Sequence, residues 1–159
     1  MRACLLLGSN LGERAVLLAQ ARTFIGQDCG ALVKVSAVYE TEPVGFSADT
    51  MFLNQAVLID TALSPQSLLE RCLLIESSLG RVRVDGETRY HARSMDIDIL
   101  FYGDVVCQMP ELTLPHPRLH QRRFALEPLA EVVPEWVHPQ LGLTALELLY
   151  SLINTGGAK

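Results

Sequence analysis

Asp96 and Asp98 stand two residues apart in the run Asp96-Ile97-Asp98-Ile99-Leu100-Phe101. On a strand, side chains two apart share a face. The two carboxylates then point the same way, with Cα atoms about 7 Å apart from a rise of roughly 3.3 Å per residue. Met95, Ile97, Ile99 and Phe101 take the other face, which the pattern assigns to the core. Like charges on one face repel, and aspartate is disfavoured in strands. A bound Mg²⁺ would relieve both, because it takes hard oxygen ligands and few of them from protein. Taken alone, the pair also suits two water-facing acids on the polar face of an antiparallel strand. The preceding segment favours the metal. Arg81 to Arg93 (RVRVDGETRYHAR) holds four arginines, Arg81, Arg83, Arg89 and Arg93, against Asp85 and Glu87. A guanidinium fork matches phosphate oxygens. Asp85-Gly86 marks a turn, so the segment reads as a long loop between a helix and a strand, the kind that serves as a binding loop or lid. A solvated, salt-bridged loop is the plainer reading of the same charges.

A second basic stretch, His116 to Arg123 (HPRLHQRR), carries His116, Arg118, His120, Arg122 and Arg123 and no acid. Two histidines four apart suit a metal only on a helix, and Pro117 between them argues against one. Phosphate contacts fit this composition better; a surface turn with incidental charge fits it too. Asn54, in Phe52-Leu53-Asn54, offers a donor and an acceptor together, suited to the edge of a heterocycle. Phe52 shares its face, so a ring could stack while the amide reads an edge, and Phe124 could supply a second ring. Core packing accounts for either phenylalanine taken singly. Gly8-Ser9-Asn10-Leu11-Gly12 lacks the lysine and the spacing of a Walker A loop and is not a dinucleotide fingerprint. It reads as a tight strand-to-helix connection. No GxSxG, HExxH or Cys–His catalytic signature is present.

These residues need elements to hold them. Ala3 to Leu7 is a short apolar run and reads as a buried strand. Glu13 to Ile25 places Val16, Leu17, Ala21 and Phe24 near helical spacing. Leu32 to Tyr39 and Phe52 to Thr61 read as strands, with a loop from Thr41 to Thr50 between them. Ser64 caps a helix that Pro65 opens, with Leu68, Leu69, Cys72, Leu73, Ile75 and Leu79 as its apolar stripe and Gly80 as its stop. Ser94 to Tyr102 is the next strand, and Thr144 to Ile153 a last helix. The order is strand, helix, strand, strand, helix, strand, then a mixed tail. Such an order favours an antiparallel sheet with helices on one face and matches the split βαβ arrangement. The expectation is an α+β fold: a ferredoxin-like βαββαβ sandwich with a C-terminal extension.

Composition bounds the function. The 159 residues suit one domain spanning 1–159. Apolar residues make up 49% and charged residues 19%, which excludes general disorder. The net charge of −5 argues against a whole-surface attraction to nucleic acid or anionic membrane. The N-terminal apolar run is too short for a signal peptide, and no run reaches the 18 apolar residues of a membrane span. Cys4, Cys29, Cys72 and Cys107 form no CxxC pair, so neither a zinc site nor a disulfide framework is expected, and free thiols suit a reducing cytoplasm.

Several motifs then fall into one pattern: GSNLG at 8–12, Tyr39-x-Thr41-x-Pro43-x-Gly45, Phe52-Leu53-Asn54, Glu76-x-x-x-Gly80-Arg81, Arg93-x-x-Asp96-x-Asp98, and Leu112-Thr113-Leu114-Pro115-His116-Pro117 with Arg122-x-Phe124. Nearly end to end, the chain resembles the 6-hydroxymethyl-7,8-dihydropterin pyrophosphokinase family of folate synthesis. The resemblance implies a ferredoxin-like fold and transfer of pyrophosphate from ATP to the pterin hydroxymethyl oxygen, releasing AMP. It implies two Mg²⁺ ions held by Asp96 and Asp98, with Arg81 and Arg93 beside them in catalysis. It implies a pterin lying between Phe52 and Phe124, read by Asn54, Thr41 and the backbone near Val44. For ATP, the co-substrate, it implies Glu76, Arg81, Arg93, Ile99, Thr113, His116 and Arg122. No general base stands out; Asp96 is the nearest by its place in the motif. The implied partners are the two small substrates, with no nucleic acid and no membrane, and the chain is expected to act as a cytoplasmic monomer.

The chain departs from the family pattern at His91, where Gly or Ala is usual, at Tyr90 for Trp, at Glu42 for Pro, and in a slightly longer arginine loop. These bear on loop closure, which often limits turnover. Three other readings compete. A non-catalytic binding or regulatory module of the same fold has no need of two acids facing a phosphate loop. An RNA-binding module predicts a basic surface and an aromatic RNP-type pattern, and the chain has neither. Nucleotide hydrolysis would release phosphate or pyrophosphate without an acceptor.

Overall fold

Strand β1 (Arg2–Ser9) is buried along its length except at Arg2, and that burial makes it central. In a computed structural model, which describes residues 1–10, 12–41, 51–80 and 95–155, it runs antiparallel between β4 (Phe52–Asp60) and β5 (Asp96–Tyr102). The sheet order is β2-β4-β1-β5, with β2 (Ala31–Val35) on the outer side of β4. The short β3 (Tyr39–Thr41) continues along that same edge of β4. Helix α1 (Arg14–Asp28) links β1 to β2, and α2 (Pro65–Ser78) links β4 to β5. This is the split βαβ order expected from the sequence, with the second strand in two pieces.

The break has a local cause. Val35 pairs with Val57 and Tyr39 with Asn54, so four steps on one side face three on the other. Ser36 takes up the difference: its amide donates to Ala56 O at 2.9 Å, and its hydroxyl accepts from Ala56 N at 2.9 Å. The single strand read over Leu32 to Tyr39 is therefore two.

Odd-numbered residues of β1 and β4 point to one face and even-numbered residues to the other. Leu5, Leu7, Val57 and Ile59 pack with Ile97 and Ile99 under α1 and α2. Leu6, Ala56 and Leu58 pack under α3 (Arg123–Val132) and α4 (Ala145–Asn154). Helices thus cover both faces, not one as the sequence suggested. The C-terminal extension supplies the second layer, because even-numbered Cys4, Leu6, Ala56 and Leu58 are as apolar as their odd neighbours and need cover. Near-continuous apolar strands signal burial on both sides.

Phe101 corrects a second expectation. Leu5 pairs with Ile99 and Cys4 with Phe101, leaving Leu100 as a bulge residue. A bulge flips the alternation beyond it. Phe101 therefore joins the α3/α4 core, stacking on Trp136 at 4.3 Å between ring centroids, while Tyr102 joins the other core.

The helix signals hold in outline. Ser64 Oγ accepts from Ser67 N at 3.2 Å ahead of Pro65. Thr144 and Glu147 form a reciprocal capping box on α4. The stripes shift in detail. Val16 and Leu73 are exposed, and α1 buries Leu18 and Ile25 beside the expected Ala21. Helix α3 was not expected, because Pro128 sits inside it and removes the bond to the Phe124 carbonyl. A two-stranded ribbon, β6 (Cys107–Gln108) with β7 (Thr113–Leu114), lies beyond β5. All four cysteines are free. Among the described residues, no helix is long and apolar enough to cross a membrane.

Candidate active site

Register across the sheet gathers the predicted residues. Gly8 pairs with Asn54 on one side and Asp96 on the other, and Asn54 pairs in turn with Tyr39. Directly paired residues share a face, so Tyr39, Asn54, Gly8 and Asp96 form one row. The neighbouring pairs are Thr41 with Phe52, and Asp98 with Leu6. All lie on the even face, at the C-terminal end of β1. The apolar cover of this face ends at Leu6 and Ala56, and the row beyond them is polar. With strands about 4.8 Å apart, Asn54 and Asp96 stand roughly 10 Å from each other.

Gly8 supplies the clearance between them. A Cβ there would lie 3.3 Å from Asn54 Oδ1 and 3.9 Å from Phe52 Cδ1. Asn54 is only 5% exposed. Its Nδ2 donates to Thr41 Oγ1 at 2.7 Å, which fixes the amide's orientation and turns Oδ1 toward Gly8. Phe124 sits in the first turn of α3, half-buried, with the Arg122 guanidinium 5.4 Å from its ring centroid. That is cation–π range.

Asp96 and Asp98 are half-buried on β5, the edge strand. Other elements satisfy the backbone of this strand. Glu76, only 3% exposed near the end of α2, accepts from Ile97 N through Oε2 at 2.7 Å. His116 N donates to Leu100 O at 2.9 Å. Glu76 therefore pins the peptide between the two aspartates. Because β5 is an edge, residues from both its faces reach the cavity beside it. That cavity, of about 250 Å³, is lined by Asp98, Ile99, Thr113 and His116, with Leu69 from α2.

The chemistry of His116 is set locally. Its Nδ1 accepts from Arg118 N at 3.3 Å, so the neutral ring carries its hydrogen on Nε2. Burial holds its pKa down, to about 4, with Arg122 and Arg118 pushing the same way and Asp96 opposing. At neutral pH His116 offers an uncharged N–H donor, and positive charge at this site must come from the arginines.

The structure thus brings Asn54, Thr41 and Phe52 together with Asp96, and joins Asp98, Ile99, Thr113 and His116 around one cavity. Arg122 and Phe124 meet at the start of α3. Glu76 reaches the site through the Ile97 amide. Arg81, Arg93, Val44 and His91 lie outside the described residues, as do the loop readings over 42–50 and 81–94. Sequence reasoning gave Gly8 only a turn role. Its signal was a small residue at the end of an otherwise bulky strand.

The donor set fits Mg²⁺. Two carboxylates on one strand face, Asp96 and Asp98, supply the hard oxygens that Mg²⁺ takes. A site with few protein ligands leaves coordination positions for phosphate oxygens and water, as Mg²⁺ prefers.

Comparison with known proteins places the chain in a family. The profile of the family described as 7,8-dihydro-6-hydroxymethylpterin-pyrophosphokinase (HPPK) matches residues 4–134. A 2-amino-4-hydroxy-6-hydroxymethyldihydropteridine pyrophosphokinase of Methylorubrum extorquens is 46% identical over 156 residues, covering 98% of this chain and 96% of the relative. The Bacillus subtilis protein of the same name is 44% identical over 131 residues, covering 82% of this chain and 77% of the relative. Among solved structures, wild-type Plasmodium falciparum HPPK-DHPS with pteroate matches with a TM-score of 0.77 at 18% identity, over 96% of this chain and 42% of that one. At that identity the likeness concerns the fold, and this chain spans about two fifths of that longer protein. With the profile matched over most of its length and relatives above two-fifths identity, the chain belongs to the 7,8-dihydro-6-hydroxymethylpterin-pyrophosphokinase family.

Proposed function

We propose that this chain transfers the pyrophosphoryl group of ATP to the hydroxymethyl oxygen of 6-hydroxymethyl-7,8-dihydropterin, giving AMP and the pterin pyrophosphate. It does so as a cytoplasmic, monomeric single domain spanning 1–159. The observation that carries the reading is the shared row of Asn54, Gly8 and Asp96. A flat heterocycle read at Asn54 lies across Gly8, and its far substituent reaches the side of Asp96. Asn54 binds the ring edge, Thr41 holds Asn54, and Phe52 and Phe124 enclose the ring faces. The adenine nucleotide occupies the cavity beside β5, with Thr113 and the His116 N–H as polar contacts. Glu76 serves that region by holding the Ile97 amide.

Asp96 and Asp98 would hold the two Mg²⁺ ions, which would neutralise phosphate charge and lower the pKa of the attacking hydroxyl. Arg81, Arg93 and Arg122 stabilise the charge that grows on the phosphate oxygens as the β-phosphorus is attacked. The neutral His116 adds a donor without adding charge.

The deciding experiment is product analysis with ATP, Mg²⁺ and the pterin. AMP formed one-for-one with pterin pyrophosphate is the expected result. Binding of both substrates without turnover would make the chain a non-catalytic relative. Nucleotide hydrolysis without pterin product would make it a hydrolase.

A further inference from the structure

Glu131 stands two turns along α3 from Phe124, on the same side of the helix, since residues seven apart nearly superpose in projection. Its carboxylate makes two contacts with the segment that leads into Thr41. Oε2 accepts from Ala37 N at 2.9 Å, and Oε1 accepts from the Tyr39 hydroxyl at 2.6 Å. Its other anchors all lie on the β4 side: Gln55 Nε2 donates to Ser36 O at 2.7 Å, and Tyr39 to Thr41 pair with Asn54 to Phe52. Strand β3 is three residues long and follows the offset at Ser36. A strand so short holds its register weakly.

The contacts continue inward. Tyr39 pairs with Asn54 across the ladder, Thr41 pairs with Phe52, and Thr41 Oγ1 accepts from Asn54 Nδ2. Helix α3 therefore touches both sides of the pterin site: one through Phe124, the other through Glu131, Tyr39 and Thr41. Partial burial and the adjacent Glu131 carboxylate push the Tyr39 hydroxyl up to about 12, so it stays a donor throughout the physiological range.

We propose that Glu131 and Tyr39 are positioning residues: by gripping Ala37 N and the Tyr39 hydroxyl, the Glu131 carboxylate fixes β3 against α3. It thereby sets the gap between Asn54 and Phe124 in which the heterocycle binds. This rests on the pterin reading above. Neither residue touches substrate, so the effect belongs to pterin affinity and leaves ATP affinity and the maximal rate alone.

The test is pterin binding and steady-state kinetics on the full chain. Tyr39→Phe raises the pterin Kd and KM, by up to about 5-fold, the size of one hydrogen bond, while the ATP KM and kcat stay as they were; the same bond holds the ligand-free fold, so the unfolding midpoint falls by only about 2–4 °C. Glu131→Ala, which releases both anchors, has a larger effect, and Glu131→Gln recovers part of it. Tyr39→Phe added to Glu131→Ala has no further effect, because the pair acts as a unit. An unchanged pterin Kd in Tyr39→Phe, with wild type binding pterin normally, overturns the clamp and leaves the functional reading standing. A parallel loss of ATP affinity, pterin affinity and thermal stability also overturns it, since that is a structural role. A wild-type chain that binds no pterin overturns the functional reading and the clamp's role together.

Discussion

Replacing Gly8 by alanine adds one carbon to the space between Asn54 and Asp96. Gly8 is not among the glycines with positive φ, so alanine fits its backbone. The added carbon would lie 3.3 Å from Asn54 Oδ1, a few tenths of an ångström too close for comfort. Asn54 has little room to retreat, being buried and tied to Thr41 by the 2.7 Å bond. The consequences for fold and ligand diverge. Stiffening of the unfolded chain favours alanine by about 0.4–1 kcal/mol, which offsets the tight contact, so stability changes by less than about 1 kcal/mol. For the ligand, the methyl displaces the amide and rises into the floor of the site. Losing a hydrogen bond to a buried amide costs about 1–3 kcal/mol, which is about 5- to 150-fold in Kd. Titration calorimetry with pterin and a non-hydrolysable ATP analogue reads the affinity, and a thermal melt reads the fold. ATP binding without pterin stays at the wild-type value. An unchanged pterin Kd would refute the row as the pterin floor, and a collapse of stability would show that the methyl acts on the sheet instead.

Asp98→Asn lowers kcat by about 10²-fold or more, as loss of a charge-stabilising group does, with an unchanged melting profile; near-normal turnover would remove the metal role. Glu76→Ala strands the Ile97 amide and destabilises the fold by about 1–3 kcal/mol in urea titration, whereas Glu76→Gln keeps an acceptor and loses less. Gly30→Ala drives a Cβ into the Asp60 carbonyl oxygen and to 3.0 Å from Thr61 Cα, backbone atoms that cannot swing aside; overpacking of this kind costs about 1–3 kcal/mol or more. His116, held near pKa 4 against an ordinary 6.5, stays neutral in the fold while the unfolded chain protonates. Its contribution is therefore complete above pH 6.5 and lost as pH falls toward 4. His116→Asn flattens stability against pH in that window, and a ring titration by NMR near 6.5 would contradict the assignment.

Much of the fold was legible because its signals are local. The Ser64-Pro65 start of α2 and the Thr144 start of α4 are capping chemistry within four residues. The split βαβ order followed from counting apolar runs. What escaped was set by distant partners. The second helical layer depends on even-numbered β1 and β4 residues being as apolar as the odd ones, a pattern that a one-sided sheet reading passes over. The bulge at Leu100 exists only in the pairing of β5 with β1, so nothing in Asp96 to Tyr102 alone moves Phe101 to the other face. Helix α3 was hidden by Pro128, a breaker on propensity that the burial of six of its ten residues overrides.

The site shows the same division. The acid pair was readable as two carboxylates on one face, since that follows from strand period alone. Its relation to Asn54 was not, because that needs the sheet order and the register on both sides of β1. Resemblance supplied residue names for both substrates, yet not that Gly8 lies between Asn54 and Asp96 or that Glu131 ties Ala37 and Tyr39 to the helix bearing Phe124. The register itself is held by the core. Sliding β5 by one residue along β1 would turn Asp96 and Asp98 into the layer of Leu5, Leu7 and Ile59, and carry Ile97 and Ile99 out of it. Burying two carboxylates in that apolar layer costs several kcal/mol each, and exposing two isoleucines about 1.5–3 kcal/mol each. The apolar residues between and beside the aspartates therefore keep the acids aimed at the same face as Asn54. Substitutions at Ile97 or Ile99 that loosen this packing impair turnover through the acids' aim as well as through the cavity beside β5 that both residues line.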